Sequence, residues 1–112
     1  LGPGMLINPE ARFPVLANRF GGVSGPAIKP VALRCVYQIY EAVKIPILGM
    51  GGINNGRDAI EMIMAGATTV GIGSAVYYHG ITVFKRVCSE MQQWMKENGV
   101  NGLEEIRGAA HD

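Results

Sequence analysis

Apolar positions along this chain recur in two patterns, and they alternate. Between residues 30 and 44, Ala32, Cys35, Val36, Ile39 and Val43 fall at i, i+3, i+4 spacing, with Gln38, Glu41 and Lys44 on the other side. That period predicts a helix with one buried stripe. Pro30 suits its first turn, where the missing N–H costs nothing. Pro46 biases Ile45 away from helical angles, so the helix should close near Lys44. Residues 45–50 are an almost continuous apolar run without alternation, which predicts a strand covered on both faces in a parallel sheet. A second helix should start near Arg57, with Asn55 as N-cap and Asp58 near its positive end. Its stripe is Ile60, Ile63, Met64 and Ala67, and Gly66 is its C′ residue. Residues 68–72 form a second strand, and a short helical turn follows at residues 75–78. The last long helix begins near Thr82, carries Phe84, Val87, Cys88, Met91 and Met95 on its apolar face with Trp94 beside them, and stops at Gly99. Residues 103–107 add one more turn.

The order α, β, α, β, α predicts an α/β fold, with a parallel sheet and helices packed outside it. Ahead of it, residues 1–26 hold two short apolar runs, 5–7 and 15–17, which suggest a loose hairpin around Asn8-Pro9-Glu10. The segment 21–26 reads as a glycine-rich loop. Two parallel strands alone leave open edges and uncovered faces. The chain also starts at Leu1 rather than Met, and both features lead us to expect further sequence upstream.

Composition narrows the function classes. Of 112 residues, 16 are glycine, about twice the usual ~7%. Hydrophobic residues make up 48% and charged residues 17%, so the chain is too apolar for disorder. A net charge of +1 gives no case for a nucleic-acid surface. No apolar run approaches the ~20 residues of a membrane span, and no signal peptide is visible at the start. Cys35 and Cys88 have no CxxC neighbour, so no metal site is expected. Both are read as buried, reduced thiols of a cytoplasmic protein.

The candidate chemistry lies in three glycine clusters: residues 21–25, Gly51-Gly52 and Gly73-Ser74. The second and third each follow a strand and precede a helical segment. In a parallel α/β fold this places them at the carboxyl edge of the sheet, where ligands bind. Glycine there lets the backbone approach a ligand, and N–H groups at a helix start favour an anion. Ser74 adds a hydroxyl. One such cluster could be only a tight turn, but two after consecutive strands favour a phosphate cradle that needs no lysine or arginine. Neither GxGxxG nor GxxxxGK[ST] is matched. His79 and His111 are read as solvated or core residues, Lys29 and Arg57 as solvated loop charges, Glu104-Glu105 as an exposed face, and Tyr77-Tyr78 as packing residues. No residue of the chain stands out as a catalyst.

The segment Gly21-Gly22-Val23-Ser24-Gly25-Pro26-Ala27-Ile28-Lys29-Pro30-Val31-Ala32-Leu33 resembles the loop-and-helix signature of class 1 dihydroorotate dehydrogenases, and its Ser-Gly-Pro-Ala-Ile-Lys-Pro portion resembles the 1B subgroup. Residues 47–53 and the stretch from Ala65-Gly66-Ala67 to Gly73-Ser74 fit the same family in the same order. The resemblance runs from about Leu1 to His111. It implies the C-terminal part of a (β/α)8 barrel, about strands 7–8 and helices 6–8, so that residues 1–112 are an incomplete piece of one FMN-binding domain. It implies an oxidoreductase that converts dihydroorotate to orotate in pyrimidine synthesis. Gly25, Gly51, Gly52, Gly73 and Ser74 correspond to FMN contacts, mostly around the phosphate. A homo-oligomeric full enzyme and a second subunit carrying FAD and an iron–sulfur cluster are implied by the same analogy.

The family's cysteine base, a lysine near the flavin and the orotate-binding asparagines lie on earlier loops. Cys35 and Cys88 match none of them, so no catalytic residue is assigned here. Two alternatives stay open on sequence alone: another FMN or phosphate barrel such as a dihydropyrimidine dehydrogenase domain, and a non-catalytic binding module.

Overall fold

Residues 2–111 are described by a computed structural model; Leu1 and Asp112, the ends of the assigned segment, lie outside that range. The chain starts as an arm of short antiparallel pairs. Strand β1 (Pro3–Gly4) pairs with β4 (Gly21–Gly22), and β2 (Ile7–Asn8) pairs with β3 (Phe13–Pro14). The hairpin expected around Asn8-Pro9-Glu10 is present. The pairing of Gly21–Gly22 with Pro3–Gly4 corrects the reading of that segment as loop alone.

A single 3₁₀ turn (Pro26–Ile28) leads into helix α1 (Lys29–Ala42), which has proline in its first turn, as expected. Strand β5 (Leu48–Met50), α2 (Gly56–Ala65), β6 (Thr69–Gly71), α3 (Ser74–His79) and α4 (Val83–Glu97) follow, and a 3₁₀ turn (Leu103–Glu105) precedes the tail. The strands β5 and β6 are parallel, with Gly49 opposite Val70. This is the predicted α/β alternation.

Helix α2 lies at the centre of the core. Ala59, Ile60, Met62 and Ile63 are each at most 2% exposed, a burial wider than the single stripe expected. The side chain of Asn55 caps it, accepting from the N–H of Asp58 at 2.9 Å. Gly66 ends it with φ 120°, in the left-handed region, and a β-carbon there would overlap the Tyr40 ring. The tail closes over the same ring. His111 stacks on Tyr37 at 3.7 Å between centroids, and its Nε2 lies 2.8 Å from the carbonyl oxygen of Ala65.

Three expectations about burial are corrected. Strand β5 is not covered on both faces: Gly49 is buried, but Leu48 and Met50 are 60% and 53% exposed. Among the described residues only β6 pairs with it, so its other edge is free, and the exposure of Leu48 and Met50 marks one uncovered face. On α4 the buried positions are Val83 and Val87, while Phe84 and Cys88 face outward. The face that packs on α2 is set by where that helix lies, one position round from the expected stripe. Cys35 is half-buried rather than buried, and both thiols are free.

Replacing Gly66 with Ala should lower stability by about 1–3 kcal/mol, because a left-handed backbone and the Tyr40 ring both oppose a side chain. Urea unfolding of the full protein carrying this chain would measure the loss.

Candidate functional site

The three glycine clusters converge at one end of the strand pair. The 3₁₀ turn opens from Gly25, whose φ is 82°. Gly51 and Gly52 follow β5 with φ of 129° and 73°. Gly73 and Ser74 link β6 to α3. A β-carbon on Gly52 would lie 2.8 Å from the carbonyl oxygen of Gly25 and 2.9 Å from the amide nitrogen of Lys29. One on Gly25 would lie 3.7 Å from the hydroxyl oxygen of Ser74. All five residues singled out in the sequence, Gly25, Gly51, Gly52, Gly73 and Ser74, line a single cavity of ≈ 430 Å³.

That cavity is apolar on one side, with Cys35, Val36, Ile39 and Met50, and glycine-rich on the other. Among the described residues no carboxylate lines it. No side chain caps α3, so the N–H groups of its first turn have no side-chain acceptor. A β-carbon on Gly73 would meet nothing within 4 Å. A helix start beside open space, in a cavity that no carboxylate of the described residues lines, is a setting for an anion.

Behind the loops lies a second cavity of ≈ 640 Å³, lined by Lys29, Asn54, Asn55, Asp58, Tyr78 and His79 with Gly25 and Gly52. Here the expectation for Lys29 is corrected. It is no solvated loop charge: its Nζ donates to Asp58 Oδ1 at 2.6 Å and lies 3.0 Å from Glu61 Oε2. The hydrogen bond that Lys29 donates to Asp58 leads in raising its pKa, and burial opposes it. Arg57 is exposed, as expected, and so are Glu104, Glu105 and His79. Tyr77 and Tyr78 do not pack into the core. They meet edge to face at 5.2 Å and stay 86% and 67% exposed, with Ala75 the buried residue of α3.

A further support comes from α4, which the sequence did not single out. Arg86 donates to the carbonyl oxygen of Asn54 at 2.7 Å and to Glu90 at 2.9 Å. Glu90 accepts in turn from the N–H of Gly56 at 2.7 Å. These bonds tie the turn after Gly52 to the outer helix. The only sequence signal was the i, i+4 spacing of Arg86 and Glu90. Among the described residues no cluster of His, Cys, Asp or Glu could hold a metal, and no helix is long and apolar enough to cross a membrane.

A family model described as dihydroorotate dehydrogenase matches residues 2–95. The chain belongs to the dihydroorotate dehydrogenase family. It is 48% identical over its whole length to the dihydroorotate dehydrogenase B (NAD(+)) catalytic subunit of Methanothermobacter thermautotrophicus, covering 37% of that protein. The corresponding subunit of Methanocaldococcus jannaschii is 51% identical over 97% of this chain and 35% of its own length. The chain thus spans about a third of the length of the curated relatives it matches. Among solved structures, a ligand-free DHODH from Eimeria tenella superposes with a TM-score of 0.79 at 28% identity, over 97% of this chain and 31% of that one. The same enzyme in complex with ferulenol also gives 0.79, at 29% identity. The mixed α/β arrangement is therefore shared with solved members of the family.

Glu90 provides a pH test of the support from α4. The N–H of Gly56 lowers its pKa first, and Arg86 adds to the effect. A lowered folded-state pKa gives stability that is present above the ordinary value near 4.5 and lost as pH falls through the lowered value. The thermal midpoint of Glu90→Gln should therefore trail the parent protein at neutral pH, and the gap should narrow as pH falls below the ordinary value near 4.5.

Proposed function

We propose that this chain is the phosphate-holding part of an FMN-dependent dihydroorotate dehydrogenase, which oxidises dihydroorotate to orotate in pyrimidine biosynthesis. The observation that carries the reading is the convergence of Gly25, Gly51, Gly52, Gly73 and Ser74 on one cavity that no carboxylate of the described residues lines. Identity of 48–51% to catalytic subunits of dihydroorotate dehydrogenase B supports the same assignment. In this reading residues 1–112 supply strands 7 and 8 and helices 6 to 8 of a (β/α)8 barrel, as the C-terminal segment of a single domain. The exposed Leu48 and Met50 on β5 fit that placement, since neighbouring strands of a closed barrel would cover them.

The residues present suit an FMN phosphate. Gly73 leaves side-chain-sized space in front of its backbone, and the uncapped start of α3 offers donors. Ser74 adds a hydroxyl, and Gly25, Gly51 and Gly52 allow main-chain approach at backbone angles that other residues rarely adopt. FMN, when bound, supplies the hydride acceptor. The loops of this chain hold its phosphate end, and fixing that end restricts where the ring can lie relative to substrate. Cys35 lines the cavity from α1 and Cys88 faces outward on α4; neither is assigned the role of base, and the catalytic residues belong to other parts of the enzyme. We extend the reading to a cytoplasmic, homo-oligomeric enzyme, in which a subunit with FAD and an iron–sulfur cluster passes electrons to NAD.

Gly73→Val in the full-length enzyme tests the cradle directly. Space for the side chain is open, but the backbone there has φ of −118° and ψ of −88°, outside the regions a β-branched residue prefers, so the thermal midpoint of the apoprotein is recorded alongside. The isopropyl group would fill the space proposed for phosphate, and FMN affinity should fall by about tenfold or more. Unchanged FMN content after purification and dialysis would refute the assignment.

A further inference from the structure

Two of the three glycine loops are joined by more than backbone contact. Lys29 begins α1, just past the turn that opens at Gly25, and Asp58 lies in the first turn of α2, just past Gly52. Although 29 residues apart in sequence, they meet at 2.6 Å, with side chains only 24% and 12% exposed. Glu61, one turn further along α2, adds a second carboxylate at 3.0 Å. Asp58 is itself fixed. Its Oδ2 accepts from the N–H of Asn54 at 3.0 Å, and its own N–H donates to Asn55 Oδ1 at 2.9 Å. The stem of Lys29 is confined from the other side, because a β-carbon on Gly52 would lie 2.7 Å from its Cβ.

We propose that Lys29 is a positioning residue: gripped by Asp58 and Glu61, it holds the Gly25 loop against the Gly51–Gly52 loop and so sets the spacing of the anion cradle. This rests on the reading of those loops as a phosphate site. The ammonium lies between two carboxylates, so its charge is already balanced and is not free to neutralise a phosphate. Its contribution is to the geometry of the loops. The hydrogen bond with Asp58 raises its pKa further above neutral, consistent with a charged ammonium in the pair. A partly buried pair of this kind resists separation, because removing one member strands the other charge.

The test compares FMN with riboflavin, which has the same ring and no phosphate. Full-length enzyme is stripped of flavin, and both are titrated by fluorescence quenching, with the thermal midpoint of the apoprotein recorded alongside. For Lys29→Met the expected result is a loss of about tenfold in FMN affinity, with riboflavin affinity changed by less than about twofold. Lys29→Arg, which keeps the charge, should restore most of the preference for FMN. Glu61→Gln, which leaves Asp58 in place, should lose about threefold for FMN alone, and it decides the matter if Lys29→Met does not fold. Equal losses for both flavins, or an unchanged preference for FMN, would overturn the positioning role while leaving the cradle intact. A parent enzyme that binds riboflavin as tightly as FMN would instead overturn the phosphate reading, and the positioning role with it.

Discussion

A β-carbon on Gly52 has nowhere to go: the carbonyl oxygen of Gly25, the amide nitrogen of Lys29 and the Lys29 stem all lie within 3 Å of its place. This backbone-on-backbone approach brings the loop after β5 onto the loop before α1. Only glycine satisfies both the distance and the φ of 73°. Once these two loops are in contact, the Gly73–Ser74 junction needs only the parallel pairing of β5 with β6 to reach the same place. The register Leu48 to Thr69 and Met50 to Gly71 sets both strand ends level, so their following loops emerge side by side.

The scaffold behind these loops is built around α2. Its start is held by its own cap at Asn55, by Lys29 from α1 and by Arg86 and Glu90 from α4. Its end is closed by Gly66 under the Tyr40 ring and by the His111 ring against the Ala65 carbonyl. The most buried helix is thus also the one whose first turn carries the ion pair and whose preceding loop carries Gly51 and Gly52. Core packing and loop placement are therefore mechanically coupled: a shift of α2 would move the cradle.

The open side of the sheet has the opposite character. Leu48 and Met50 on β5, and Met5, Leu6, Phe13 and Phe20 on the N-terminal arm, are all exposed apolar side chains. The described residues extend 54 × 33 × 18 Å, a flat shape for their number. The curated relatives that the chain matches are about three times its length.

Helix positions, the Asn55 cap, the Gly66 stop, the two strands and the five loop residues were legible in the sequence, because each depends on local rules of period, capping and backbone freedom. The specific wording of residues 21–33 also carried the family. Other features were not legible. Which face of α4 is buried depended on the position of α2, so Phe84 and Cys88 turned outward while Val83 turned in. Whether β5 has one covered face or two depended on neighbours that residues 45–50 do not encode. Lys29 looked like a loop charge because Asp58 and Glu61 are about thirty residues away, and only folding brings them within hydrogen-bonding reach. Local chemistry is written in neighbouring residues, whereas a pairing between distant charges exists only once the chain has closed the loop between them.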